Sequence, residues 1–409
     1  MAFTSRSGAE PPTCRCQGRS LSAASSAPNT LRILGMMSGT SADGIDVALL
    51  SLGPSGPGQL LGYRHSAYSP SLREASLDAA HGPLSVEEAA RLDRRLGRAY
   101  ARAALQALER LGQADAIAFH GQTLRHQPGG EEGFTLQIGS AAELALASGL
   151  TIVHNFRAAD VVAGGQGAPL VPPYHQLLFG ASEPRAVLNL GGIANLTWIP
   201  GQGGAGSLCA FDTGPGNALL DGAAALLSGG RLLQDRGGAW AARGQEDTRQ
   251  LARWLSWDFF QKPPPKSAGR AQFGAPLVSE LWRSWAGSPA DFLATLTALT
   301  AASVALALRR WTPGAPSLWV FGGGAENPTL MAKLASYLDG VAVERGARLS
   351  GVPSQALEAM AFAWLGAQCL AGRALPLGSV TGQSRPVILG EVLPGRAWPG
   401  LLERLSRWR

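Results

Sequence analysis

The chain has 409 residues, of which 45% are hydrophobic and 16% charged. That length exceeds one comfortable core and predicts two domains, and the apolar share excludes an intrinsically disordered chain. The net charge of +6 comes from arginines scattered along the sequence. No basic run carries interleaved aromatics, so no nucleic-acid partner is expected, whereas an anionic small molecule such as ATP suits the charge.

Residues 1–30 are rich in Ser, Ala, Pro and Arg and read as a disordered leader. They hold no apolar stretch long enough for a signal peptide or membrane span, so no membrane partner is expected. Cys14 and Cys16 have no histidine nearby, which argues against zinc. With Cys209 and Cys369 they suggest no disulfide framework, and a reducing cytoplasm is predicted.

Ile33 to Met37 form an apolar run that enters a polar turn, Ser38 to Gly44. In the next run Ile45, Val47 and Leu49 alternate with Asp46 and Ala48, which predicts strand, tight turn, strand. Such a turn can offer several N–H groups and hydroxyls to one anion, and its carboxylates can hold a metal ion beside it. Ser85 and Glu88 make a capping box that opens a helix to about Leu111, with Ala89, Leu92, Leu96, Ala103 and Leu108 on one face and Gly112 past its end. Ala116 to His120 follow as a strand.

The device then recurs. Val187 to Ile199 read as strand, Gly191-Gly192, strand. Cys209 to Phe211 make a short strand that enters Asp212-Thr213-Gly214-Pro215-Gly216-Asn217. Gly201 to Gly206 match G-x-G-x-x-G, but they lie between two strands and read as a hairpin loop. Pro263-Pro264-Pro265 mark a rigid loop. A long helix is predicted over Asp291 to Arg310. Ser317 to Phe321 form an apolar strand ending in Gly322-Gly323-Gly324, before Pro328 opens another helix. A last long helix, about Ser354 to Leu370, carries Glu358 among Ala and Phe. Hairpin, helix and strand thus follow one another twice, over 31 to about 157 and 185 to about 345, which predicts α/β layering in two related halves. There is no Walker A loop; the only lysines are Lys262, Lys266 and Lys333, and none follows a glycine. Protein-kinase and H-E-x-x-H signatures are absent as well.

The motifs together resemble the 1,6-anhydro-N-acetylmuramic acid kinase family, a branch of the actin-like sugar-kinase superfamily. The resemblance rests on Met37 to Ser41 with Asp43 to Asp46, His120 to Thr123, Leu136 to Gly139, Gly164 to Pro172, Asn189 to Leu196 and Phe211 to Asn217. It continues through Pro265 to Ser267, Gly322 to Gly324 with Asn327-Pro328, and Glu358 to Ala363. These segments stand in family order from about residue 31 to the C-terminus.

The resemblance implies two ribonuclease-H-like lobes with a cleft between them. The first lobe would be 31–157 plus 380–409, the second 158–379. It implies an ATP-dependent kinase that opens the 1,6-anhydro ring of the muramic sugar with water and phosphorylates O6. The products would be N-acetylmuramate 6-phosphate and ADP, in peptidoglycan recycling and amino-sugar catabolism. Asp212 would be the catalytic base; without the resemblance an Asp before a turn reads as a local cap. Gly39, Thr40 and Ser41, within the stretch completed by Ala42, Asp43, Gly44, Ile45 and Asp46, would hold phosphates. Gly191 and Gly192 would close on them, and Gly322, Gly323 and Gly324 would sit against adenosine. Asp43 and Asp46 would hold Mg²⁺ through water. His120, Gln122, Thr123 and Glu358 would contact the sugar, and Arg157 could pair with its lactyl carboxylate. Gln166 and Lys266 are left between ligand and loop. A homodimer is compatible with this picture and not required by it. Two departures stand out: Gln383 after Thr381-Gly382, where the family has alanine, and Ala268 to Ala271 after Lys266-Ser267, where an acidic segment is common. A plain N-acetylhexosamine kinase, or an actin-like ATP-driven chaperone or filament protein, would use similar phosphate turns.

Overall fold

The computed structural model describes residues 29–39, 41–203, 206–269, 272–312 and 314–408. The expected leader with Cys14 and Cys16, together with Thr40, Arg270 and Ala271, lies outside them. Among the described residues thirteen strands follow in order: β1 (Leu31–Met37), β2 (Gly44–Leu52), β3 (Gln59–Ala67), β4 (Ala116–Phe119), β5 (Gln122–Gln127), β6 (Phe134–Ile138), β7 (Thr151–His154), β8 (Arg185–Leu190), β9 (Ile193–Ile199), β10 (Cys209–Pro215), β11 (Ser317–Phe321), β12 (Ala342–Arg345) and β13 (Glu391–Leu393).

They build two sheets of one design. The first has the order β3-β2-β1-β4-β7-β13 and the second β10-β9-β8-β11-β12. In each, three strands meander antiparallel and two more add in parallel to the first of them. This five-strand order, present twice, is the pair of ribonuclease-H-like units expected from the sequence. β13 adds an antiparallel edge to the first sheet beside β7. β5 and β6 form a separate hairpin after β4.

The first sheet is buried on both faces, and β1 accordingly reads as a nearly continuous apolar run. Leu34 and Met36 of β1 lie in a core with Leu92, Leu96 and Tyr100 of the helix Val86–Leu111, which the Ser85/Glu88 capping box opens as expected. Ile33 and Met37 lie in another core with the helix Ala356–Leu370. That helix falls inside the stretch assigned above to the second lobe, yet it packs on β1, β2 and β4. Its small residues make this possible. A β-carbon on Gly35 would collide with the Ala359 carbonyl oxygen and would stand 2.7 Å from the Ala363 nitrogen. The same core takes in Val187, Ile199 and Phe321 of the second sheet, so one apolar body joins the two units.

The second sheet packs under the helix Pro289–Trp311, whose capping box is Ser288 and Asp291. Among the described residues this is the one helix long and apolar enough to cross a membrane, and most of it is buried in that core. The helix predicted from Ser354 starts two residues later, after Gln355.

The close fit of Gly35 generates a prediction. Gly35→Val should lower stability by about 1–3 kcal/mol or more, the cost of overpacking a tight core. A urea melt followed by circular dichroism would show it, and an unchanged midpoint would contradict the packing described.

Candidate active site

The candidate groups lie in the turn after β1, in the turn after β8 and at the end of β10. In the first turn the Ser38 hydroxyl donates to Gln122 Oε1 at 2.8 Å, and Gln122 Nε2 donates to the Gly39 carbonyl at 3.2 Å. Gln122 is 2% exposed and spends both ends of its amide on the turn. It therefore braces the turn after β1. Gly39 is open: a β-carbon there would meet no protein atom closer than Ser41 Oγ at 3.8 Å. Ser41 is half-buried and Asp43 exposed. Ala42 takes a left-handed φ of 48° and is buried with Ile45, while Gly44 lets β2 approach Ser66 of β3. These three shape the turn through the backbone, with the Ala42 and Ile45 side chains buried in the core of the first sheet. Asp46 Oδ1 accepts from Tyr63 and, at 2.9 Å, from His65.

The second turn is tied down from behind. The Gly191 and Gly192 carbonyls accept from the N–H groups of Asn217, Gly216 and Ala218 at 2.8–3.0 Å, and Asn217 Nδ2 adds bonds to Leu190 and Gly191. Gly191 itself is open. Of the three glycines after β11, Gly322 (φ 84°) and Gly324 are wedged against Asn189, Leu190 and Asn217, whereas Gly323 faces open space. Only Gly323 of the three borders a cavity of about 230 Å³, lined also by Asn217, Gln234, Arg236, Gly237, Glu326 and Asn327.

Strand register builds the polar centre. Asn189 of β8 pairs with Asn195 of β9, and Asn195 pairs with Asp212 of β10, so the three side chains share one face of the sheet. Asn195 Nδ2 donates to Asp212 Oδ1 at 2.9 Å. The Ala268 N–H donates to Oδ2 at 2.7 Å, and the Asp212 N–H donates to the Lys266 carbonyl at 3.0 Å. Burial pushes the carboxyl up to about 6, against the lowering pull of these two donors, Lys266 and Arg157. The strand expected to stop at Phe211 runs on to Pro215, with a register shift between Asp212 and Gly214. Thr-Gly-Pro is thus a bulged strand end and not a turn. Loop 266–268, whose role the sequence left open, clamps the base candidate. Lys266 turns its ammonium to the Phe259 carbonyl at 3.0 Å and over the Phe259 ring, and burial brings it down to about 8.

Arg157 lies at the other wall. Its Nε donates to His120 Nε2 at 2.8 Å and its Nη1 to the Gly167 carbonyl at 2.7 Å. His120 Nδ1 is 2.8 Å from the Gly121 carbonyl, so Nδ1 carries the proton and Nε2 accepts. Burial and the Arg157 charge hold His120 well below the usual imidazole range. Burial lowers Arg157 to about 10 against the pull of Glu358, Asp160 and Asp212. Its Nε edge is taken, so a carboxylate ligand would meet Nη2 and the remaining Nη1 proton. Thr123 accepts from Gln137 at 3.3 Å on the β5–β6 hairpin.

Glu358, in the first turn of its helix, accepts from Asn189 at 3.1 Å. Burial and then the Asp46 charge raise its carboxyl. Two carboxylates, one on β2 and one on the helix packed against that sheet, therefore repel each other here, and a divalent cation would relieve that repulsion. Carboxylate oxygens such as those of Asp46 and Glu358 are the donor type that Mg²⁺ takes, whereas Asp43 is exposed. Among the described residues no group of three His, Cys, Asp or Glu forms a metal cluster.

Sequence reasoning gave no role to Asn189, Asn195 or the Ala268 N–H. Asparagine inside strands is disfavoured, and two in one hairpin were the available signal.

The family model for anhydro-N-acetylmuramic acid kinase matches residues 31–395. The chain belongs to the anhydro-N-acetylmuramic acid kinase family. It is a phosphotransferase. The anhydro-N-acetylmuramic acid kinase of Acidithiobacillus ferrooxidans is 58% identical over 92% of this chain and 96% of that one. The kinase of Xanthomonas campestris pv. campestris is 46% identical over 88% and 97%, and that of Synechococcus elongatus 44% over 88% and 99%. Among solved structures, a ROK hexokinase from Thermus thermophilus covers 83% of this chain and 99% of its own at 16% identity and a TM-score of 0.34.

The clamp on Asp212 predicts that Asn195→Leu, which removes one donor to the carboxylate, raises the Asp212 pKa further above about 6. Carboxyl ¹³C shifts followed across a pH titration would measure it. A pKa that stays or falls would mean that Asn195 does not stabilise the charged form.

Proposed function

We propose that this kinase opens the anhydro ring with water and phosphorylates the released O6 in one coupled event, with Asp212 as the general base. The observation that carries the reading is the state of Asp212: fixed on both oxygens, yet raised only to about 6, so it is ionised and basic at neutral pH. Asp212 takes a proton from water as the water oxygen bonds to C1. The C1–O6 bond breaks, and its electron pair makes O6 the nucleophile toward the γ-phosphorus. The bond from phosphorus to the departing ADP oxygen breaks last. No separate acid is needed for O6, because the phosphoryl group captures it. The products are N-acetylmuramate 6-phosphate and ADP.

Backbone groups of Gly39 and Ser41 hold the β- and γ-phosphates, and Gly191 and Gly192 approach from the second unit. Adenosine lies in the cavity beside Gly323. Asp46 and Glu358, with Asp43 at the rim, hold Mg²⁺, which would neutralise phosphate charge. This gives Glu358 a role near the metal in place of the sugar contact first expected. Neutral His120 orients Arg157, whose Nη2 reads the lactyl carboxylate. Thr123 lies at the hairpin rim of the sugar site. The residues for phosphate and sugar come from both units, so the lobes close on their ligands. The protein works in the cytoplasm, in peptidoglycan recycling.

Two outcomes test this reading. Asp212→Asn should keep ATP binding and cut turnover by roughly 10²–10⁴, with ring opening and ADP formation falling together. In the unaltered enzyme kcat should decline as pH drops through about 6, as Asp212 becomes protonated. A variant that opens the ring at the normal rate would overturn the assignment. Separately, Gly39→Val fills the open face of the phosphate turn and should raise the ATP KM or abolish nucleotide binding. Unchanged nucleotide affinity in the folded variant would place the phosphates elsewhere.

A further inference from the structure

Behind Arg157 lies a carboxylate that the proposed chemistry does not use. Asp160 is fully buried. Its Oδ2 accepts the Gly167 N–H at 2.7 Å, and its Oδ1 accepts the Thr381 hydroxyl at 2.7 Å. The loop Gly164–Gly167 folds directly over it; a β-carbon on Gly165 would collide with the carboxylate. The Gly167 carbonyl, on the residue whose N–H Asp160 holds, is the acceptor for Arg157 Nη1. Asp160 thus fixes the acceptor that fixes Arg157, and Arg157 in turn donates to His120.

Thr381 links this knot to the opposite wall. Its carbonyl accepts the Gln166 N–H at 2.8 Å, and Ser384 donates to the Ala163 carbonyl at 2.9 Å. The short helix Gly378–Thr381 packs on β10, the strand of Asp212, and Gly382 lies against Pro265 in the loop that clamps Asp212. One buried carboxylate therefore lies where the loop of the Arg157 wall meets the segment that touches the Asp212 wall.

We propose that Asp160 is a positioning residue that, with Thr381, sets the Gly164–Gly167 loop and so aims Arg157 at the carboxylate of the sugar. What Arg157 grips rests on the function proposed above; the coupling of Asp160 to Arg157 does not. Burial raises the Asp160 carboxyl above the usual carboxylate range, and the two hydrogen bonds and the nearby guanidinium counter that rise in part.

The test compares full-length Asp160→Ala, Asp160→Asn, Thr381→Val, Arg157→Ala and the Arg157→Ala/Asp160→Ala double variant. Substrates are the anhydro-muramic sugar and the anhydro-N-acetylglucosamine analogue that lacks the lactyl group. Asp160→Ala should raise KM for the muramic sugar about ten- to a hundredfold, the worth of one charge-assisted contact, and leave the ATP KM unchanged. The analogue's KM should move little. The double variant should lose no more of the preference for the muramic sugar than Arg157→Ala alone. Asp160→Asn, which keeps an acceptor for the Gly167 N–H, should restore most of it. Additive losses, or equal rises for both sugars and ATP, would overturn the proposal. Should Asp160→Ala fail to fold, Thr381→Val carries the same comparison with a smaller shift in the same direction. A second readout is independent of the sugar: the ¹⁵N resonance of His120 Nε2, which accepts from Arg157. In Asp160→Ala, or in Thr381→Val in its place, it should move toward the value of a free imidazole nitrogen, and an unmoved resonance would refute the coupling. If Arg157→Ala leaves the sugar preference intact, the lactyl reading fails, and the His120 resonance alone decides the positioning role.

Discussion

The site depends on one carboxylate held partly dry between two donors. Asp212 is fixed by the Asn195 amide and the Ala268 N–H, so neither oxygen can swing. Burial raises its pKa and the donors restrain the rise, leaving it near 6. A fully solvated Asp would be a weaker base; a buried one without donors would be protonated at neutral pH. The clamp requires β10 to continue past Asp212, the register that sets Asn195 opposite it, and loop 266–268 folded back upon it.

The architecture explains why these groups meet. Two sheets of the same strand order are joined by a shared apolar core that includes the helix Ala356–Leu370. That helix packs on the first sheet while its first turn brings Glu358 to Asn189 of the second. Gly35 permits the contact. A packing requirement deep in β1 thereby helps place a carboxylate at the cleft.

Much of this was legible in the sequence, because glycine-rich strand ends and alternating apolar runs are local signals. The turn after Met37, the Gly191-Gly192 turn and the Ser85/Glu88 capping box fall where the pattern put them. What escaped depends on long-range contacts. Gln122 leaves a strand end as a polar side chain, and the sequence cannot say whether it meets a ligand or the neighbouring Ser38 turn. Thr-Gly-Pro-Gly after Asp212 has turn composition, but a bulge lets the strand absorb it. The sequence leaves Lys266 between ligand and loop, and Phe259, seven residues earlier, holds it. Asn189 and Asn195 gain meaning only from the register that aligns them with Asp212.

The central claim is that water, activated by Asp212, attacks C1 while O6 leaves toward phosphorus. Turnover of the anhydro-muramic sugar with ATP in ¹⁸O-water, followed by prompt mass analysis of product fragments, tests it most directly. The account predicts one ¹⁸O at C1 of the sugar phosphate and none in its phosphate group. Label in the phosphate, label at C6, or a product without label would contradict it.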